Sequence, residues 1–101
     1  MTPYIYLFIR RDLSIPQQIV QTAHAAEAVA KKLDKDHPTC TMVLFEVKNL
    51  SDLLTASFYL DDRTVEHELF FEPDINEHTA IATIPVYGDC REKFKQFKLK
   101  R

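Results

Sequence analysis

Three side chains near the N-terminus have the types and the spacing of a small hydrolytic or ligand-binding site: Asp12, Gln21 and His24. An imidazole titrates near neutral pH, so His24 is the natural candidate for a general base. Gln21 precedes it by one helical turn and shares its helix face, where an amide can orient a water or a substrate amide. Asp12 closes an apolar run at the edge of a sheet, a common ligand position in α/β folds. Arg10, Arg11 and Gln17 flank these residues as candidates for holding a substrate. Other constellations are poorer. His37 and Cys40 have usable metal-ligand spacing, but no second close pair completes a tetrahedral set, so no metal is expected. Ser14, Ser51 and Ser57 read as caps or helix residues, which leaves no Ser-His-Asp triad. The chain has one glycine, which rules out a glycine-rich phosphate cradle. No cofactor is expected.

The elements that must position these residues follow from local patterns. Tyr4 to Ile9 is a continuous apolar run, read as a strand buried on both faces. Ser14 and Gln17 form a capping box with Pro16 in the first turn, so a helix begins at Ile15 and runs to about Leu33. At 100° per residue, Ile19, Ala23, Ala26, Ala30 and Leu33 share the face expected to meet the core. Gln17, Gln21, His24 and Ala28 fall on the opposite face, so His24 points to solvent, to a second layer or to a site. Its many alanines suit close approach to a neighbour. Thr41 to Val47 is a second strand, and Pro38 marks the loop before it. A second helix opens at Asn49 to Asp52 and ends near Leu60. Val65 to Phe71 and Thr79 to Ile84 are two further strands, joined by the acidic connector Glu72 to Glu77. Asp89 and Glu92 can cap a last helix carrying Cys90, Phe94 and Phe97. The order β-α-β-α-β-β-α predicts a single three-layer α/β domain. Its mixed four-stranded sheet has helices on both faces, a parallel first pair and an antiparallel hairpin at the third and fourth strands.

A chain of 101 residues, 46% hydrophobic and 28% charged, has the composition of one globular domain. Its formal net charge of −2 argues against a dedicated nucleic-acid binder. The segment from Asp89 to Arg101 is locally basic, with six Lys or Arg against two acids, and can meet phosphate or form a solvated face. Two lone cysteines without paired spacing suggest a reducing, cytoplasmic setting. The run from Tyr4 to Ile9 is too short to span a bilayer, so no membrane partner is expected.

Arg10-x-Asp12-Leu13, a short spacer, then Gln21-x-x-His24-Ala25-Ala26 resembles the N-terminal signature of the type-2 peptidyl-tRNA hydrolase family. The resemblance implies the same fold, hydrolysis of the ester between a peptide and the terminal ribose of tRNA, and a homodimer. It implies catalytic roles for His24, Asp12, Gln21, for Asp74 after the third strand and for Thr79 at the start of the fourth. A tRNA would meet the basic C-terminal segment. The sequence departs from the family in the spacer Ser14 to Val20, which is two residues shorter and has neither glycine nor lysine. The end of the fourth strand, Ala82-Thr83-Ile84-Pro85, also lacks the family's glycines. Activity is therefore open, and the alternative is a non-catalytic, dimeric module that binds a ligand or a protein through the Gln17–Gln21–His24 face.

Overall fold

In a computed structural model residues 2–100 are described, with the side chains of Asp89, Cys90 and Arg91 excepted. The expected roles of Asp89 and Cys90, and Arg101 of the basic tail, lie outside the described residues. The elements are β1 (Tyr4–Arg10), α1 (Ile15–Ala30), β2 (Thr41–Val47), α2 (Leu50–Asp62), β3 (His67–Glu72), β4 (Glu77–Thr83), a 3-10 helix (Gly88–Phe94) and β5 (Lys98–Leu99). They form a mixed α/β fold whose sheet has the order β3-β4-β1-β2-β5. β1 and β2 are parallel, and β3 and β4 form the expected antiparallel hairpin. Its connection turns at Asn76, which takes a left-handed φ of 56°, a conformation asparagine tolerates better than most residues.

β1 organises the interior. Successive strand side chains point to opposite faces. Ile5, Leu7 and Ile9 pack with Ala25 and Val29 of α1 and with Ala80 and Ala82 of β4. Tyr6 and Phe8 pack with Leu53, Ala56 and Leu60 of α2, and with Phe45. The two clusters explain why the strand reads as one unbroken apolar run. β2 is less covered than the sequence suggests, with Thr41 and Met42 exposed.

The expected four-stranded sheet has a fifth strand. β5 pairs antiparallel with Phe45 and Glu46 of β2. Two residues, Lys98 and Leu99, carry too little pattern to announce a strand. The expected last helix is a 3-10 turn, and its N-cap Tyr87 makes no side-chain capping bond. Aromatic contacts hold this segment down instead. Phe94 stacks on Tyr6 with ring centroids 3.7 Å apart, and Phe97 meets Phe8 edge-on at 4.8 Å. The Tyr59 hydroxyl donates to the Lys93 carbonyl and ties α2 to the same segment.

α1 starts as expected. Ser14 Oγ accepts from Gln17 N and Gln17 Oε1 accepts from Ser14 N, both at 3.3 Å. It ends three residues early, at Ala30, because Lys32 N and Leu33 N bond to carbonyls three residues back and tighten the last turn. Its inward face differs from the expected one. Gln18, Gln21, Ala25 and Val29 are buried, while Ile19 is 66% exposed and Ala23 and Ala30 are also exposed. Only Ala26 and Leu33 of the expected stripe reach the core. The helix is rotated so that two glutamines face inward, and bonds made by those glutamines account for the choice.

If the aromatic clamp fixes the C-terminal segment, Phe94→Ala should cost about 3–5 kcal/mol in urea unfolding. Phe58→Ala, at a side chain 69% exposed on α2, should cost no more than about 0.5 kcal/mol. Equal losses for the two variants would contradict this account of the core.

Candidate ligand-binding site

The site is built outward from the end of β1. Arg10 is 6% exposed, and a buried guanidinium must be paired. Its Nε donates to Asp12 Oδ1 at 3.0 Å and its Nη2 to Asp12 Oδ2 at 2.8 Å, a bidentate fork. Nη1 donates to Glu77 Oε1 at 2.7 Å and to the His78 carbonyl at 3.0 Å. The fork fixes the loop after β1 against the start of β4. Hydrogen bonding to Arg10 holds the Asp12 carboxyl below its ordinary value, against a smaller opposing effect of burial. The guanidinium is raised in turn, chiefly by the same bond.

The loop then delivers α1 with its polar face inward. Gln18 Nε2 donates to the Leu13 carbonyl at 2.8 Å. Thr79 Oγ1, fully buried in β4, donates to Gln21 Oε1 at 2.6 Å. These bonds engage Gln18 Nε2 and Gln21 Oε1, while Gln18 Oε1 is buried without a hydrogen-bond partner among the described residues; hydrophobic periodicity registers none of this and so misplaces the inward face. His24 is half-buried. Its ring stacks on Phe70 of β3, with centroids 4.9 Å apart and planes 8° from parallel.

A cleft of about 280 Å³ opens between the start of α1 and the β3–β4 turn. Gln17 and Gln21 line one side, Glu72 and Asp74 the other, with Leu13, Pro16, Val20 and Ile75 as apolar lining. Of the residues singled out from the sequence, the structure thus brings together Gln17, Gln21 and Asp74. Asp12 and Thr79 are not in the cleft lining; they are joined to Arg10 and Gln21 respectively. His24 lies against β3 and is not part of the cleft lining. Arg11 turns away and pairs with Glu46 at 3.2 Å.

Glu72, Ile75 and Glu77 were not singled out by the sequence, although all three lie at or within the acidic connector. Gln18 was hidden by its type, since a glutamine gives no sign of facing inward.

The remaining chemistry-bearing groups serve the fold. His37 Nδ1 and Cys40 Sγ both address the Pro38 carbonyl, at 2.8 and 3.5 Å. Among the described residues no group of three or more His, Cys, Asp or Glu is placed to hold a metal ion. Ser57 Oγ lies 2.8 Å from His67 Nε2, and His67 Nδ1 lies 2.8 Å from the Val65 carbonyl. A carbonyl can only accept, so Nδ1 carries a proton toward Val65, and in the neutral ring Nε2 would accept from the serine hydroxyl. This Ser-His pair was missed in sequence because its members lie on different elements. Both side chains are buried, and the pair joins α2 to the start of β3. Among the described residues no helix is long and apolar enough to cross a membrane. No protein-family model and no curated protein matches the sequence.

Two substitutions test this construction. Thr79→Val removes the donor to Gln21 and leaves a buried carbonyl oxygen unpaired, so unfolding free energy should fall by about 1–3 kcal/mol. Asp12 is depressed in the folded state, so its stabilisation is complete above the ordinary carboxylate value and is lost as pH falls through the folded value. Asp12→Asn should therefore flatten the acid limb of stability against pH, measured by urea midpoints. An unchanged acid limb would contradict the depressed carboxyl.

Proposed function

We propose that this chain is a divergent, three-layer relative of the type-2 peptidyl-tRNA hydrolases that works as a binding module for a peptide- or aminoacyl-like ligand, without ester hydrolysis. The observation that carries this reading is the place of the candidate base: His24 stacks on Phe70 and is absent from the cleft lining, and Asp12 is no substitute for it. A carboxylate engaged at both oxygens by Arg10 and held below its ordinary value is a poor base at neutral pH. The spacer supplies no lysine in its place.

The cleft suits such a ligand. Gln21 Oε1 is engaged by Thr79 and Gln17 Oε1 by Ser14 N. Each side chain therefore offers a ligand its amide N–H groups, which donate to a carbonyl oxygen. Asp74 and Glu72 across the cleft accept from an ammonium or amide N–H. The apolar lining takes a small side chain. A carbonyl beside an amine is the chemistry of an aminoacyl group or a peptide N-terminus.

Phosphate contacts through the basic C-terminal segment have less support, because its described lysines are partly engaged. Lys95 pairs with Glu92 at 2.9 Å, Lys98 approaches Glu46 at 3.8 Å, and Lys93 Nζ donates to the Arg63 carbonyl at 3.4 Å. Self-association belongs to the same reading. The outer stripe of α1 leaves Ile15 and Ile19 at 60% and 66% exposure, a patch suited to a twin surface.

The test is calorimetric titration with alanyl-alaninamide and its N-acetylated form, beside an assay of peptidyl-tRNA cleavage. The free amine should bind, acetylation or Asp74→Asn should weaken binding about tenfold, and no tRNA should be released above background. Release that His24→Ala abolishes would overturn the non-catalytic reading. Separately, sedimentation should show a dimer that Ile19→Ser shifts to monomer, and a monomer at all concentrations would refute self-association.

A further inference from the structure

The helices that follow the two parallel strands leave to opposite sides of the sheet. α1 packs with Ile5, Leu7 and Ile9, and α2 packs with Tyr6 and Phe8. At the carboxyl ends of β1 and β2, Arg11 N donates to the Val47 carbonyl at 2.8 Å. Beyond that bond the two connections part. Where adjacent parallel strands send their chains to opposite faces, a crevice opens at the carboxyl ends, the general ligand position of open α/β sheets.

A cavity of about 430 Å³ occupies that place. It is distinct from the glutamine-lined cleft and shares no lining residue with it. Arg11, from the connection after β1, and Lys48, from the connection after β2, both line it, with Lys98 of β5 a third cation. Ala56, Tyr59 and Phe97 supply an apolar wall. The carboxylates in the lining are Glu46 and Asp52. Glu46 is already engaged, by Arg11 Nη1 at 3.2 Å and Lys98 Nζ at 3.8 Å. Hydrogen bonding to Arg11 keeps it ionised, below its ordinary value. Three cations against two carboxylates leave one positive charge in excess, beside an aromatic wall.

We propose that this crevice binds a small anion attached to an aromatic ring, with the anionic group between Arg11 and Lys48 and the ring against Tyr59 and Phe97. Neither part suffices alone. An exposed lysine and a paired arginine hold a bare anion weakly in water, and the wall gives a neutral ring no orientation.

Phenyl phosphate is the probe, with phenol and inorganic phosphate as its two halves, followed by amide ¹H–¹⁵N correlation spectra. Phenyl phosphate at millimolar concentration should move the amides of Lys48, Asn49 and Phe97, and each half alone should bind about tenfold more weakly or worse. Lys48→Glu reverses an exposed charge that packs in no core cluster, so the fold should persist. It should weaken phenyl phosphate about tenfold, while Lys35→Glu, an equal charge change in a distant loop, should leave binding unaltered. No movement of these amides would overturn the proposal. So would binding that Lys48→Glu leaves intact, equal effects of the two charge reversals, or movement confined to the cleft from Leu13 to Gln21.

Discussion

A buried guanidinium constrains everything around it. Arg10 sits at the carboxyl end of the central strand, where its charge tolerates burial only with a full set of acceptors. Asp12 supplies two, Glu77 one and the His78 carbonyl a fourth. These acceptors come from three places in the chain: the loop after β1, the first residue of β4 and the backbone beside it. Meeting them sets where the loop runs, and the loop sets where Ser14 caps α1. The rotation of α1 about its axis then decides which glutamines meet β4. Removing one carboxylate from such a cluster disturbs position as well as charge.

The same constraint separates structure from chemistry at this end of the sheet. Asp12 and Thr79 look reactive by type and place, yet each is absorbed by a bond that holds the site together. What remains for a ligand is the unused half of each glutamine and the two carboxylates of the β3–β4 turn. Arg11, one residue beyond the buried arginine, pairs with Glu46 in another cavity. Neighbouring arginines thus serve two separate regions, one by closing the interior and one by lining an open crevice.

Much of the fold is legible in the sequence because its signals are local. The apolar run at Tyr4, the capping box at Ser14 and the acidic turn between the hairpin strands each mark an element where one occurs. The parallel pair follows from strand-helix-strand order. What escapes is set by partners distant in sequence. Gln18 and Gln21 face inward where Leu13 and Thr79 meet them, and hydrophobic periodicity cannot register such a hydrogen bond. β5 exists because Phe94 and Phe97 dock against Tyr6 and Phe8 and carry two further residues alongside β2. At the site, Asp12, Gln21, His24 and Asp74 were expected as one group, and of these only Gln21 and Asp74 line the cleft; the pairing of Asp12 with Arg10 was not legible, since two residues in i, i+2 relation carry no sign of a shared buried fork.

The central claim is that Asp12 is the fixed partner of Arg10. A carbon-detected NMR titration of the Asp12 carboxyl measures this directly in the intact protein. The account predicts a midpoint below the ordinary aspartate value and a carboxyl that stays ionised across the neutral range. A midpoint at or above the ordinary value would contradict the fork.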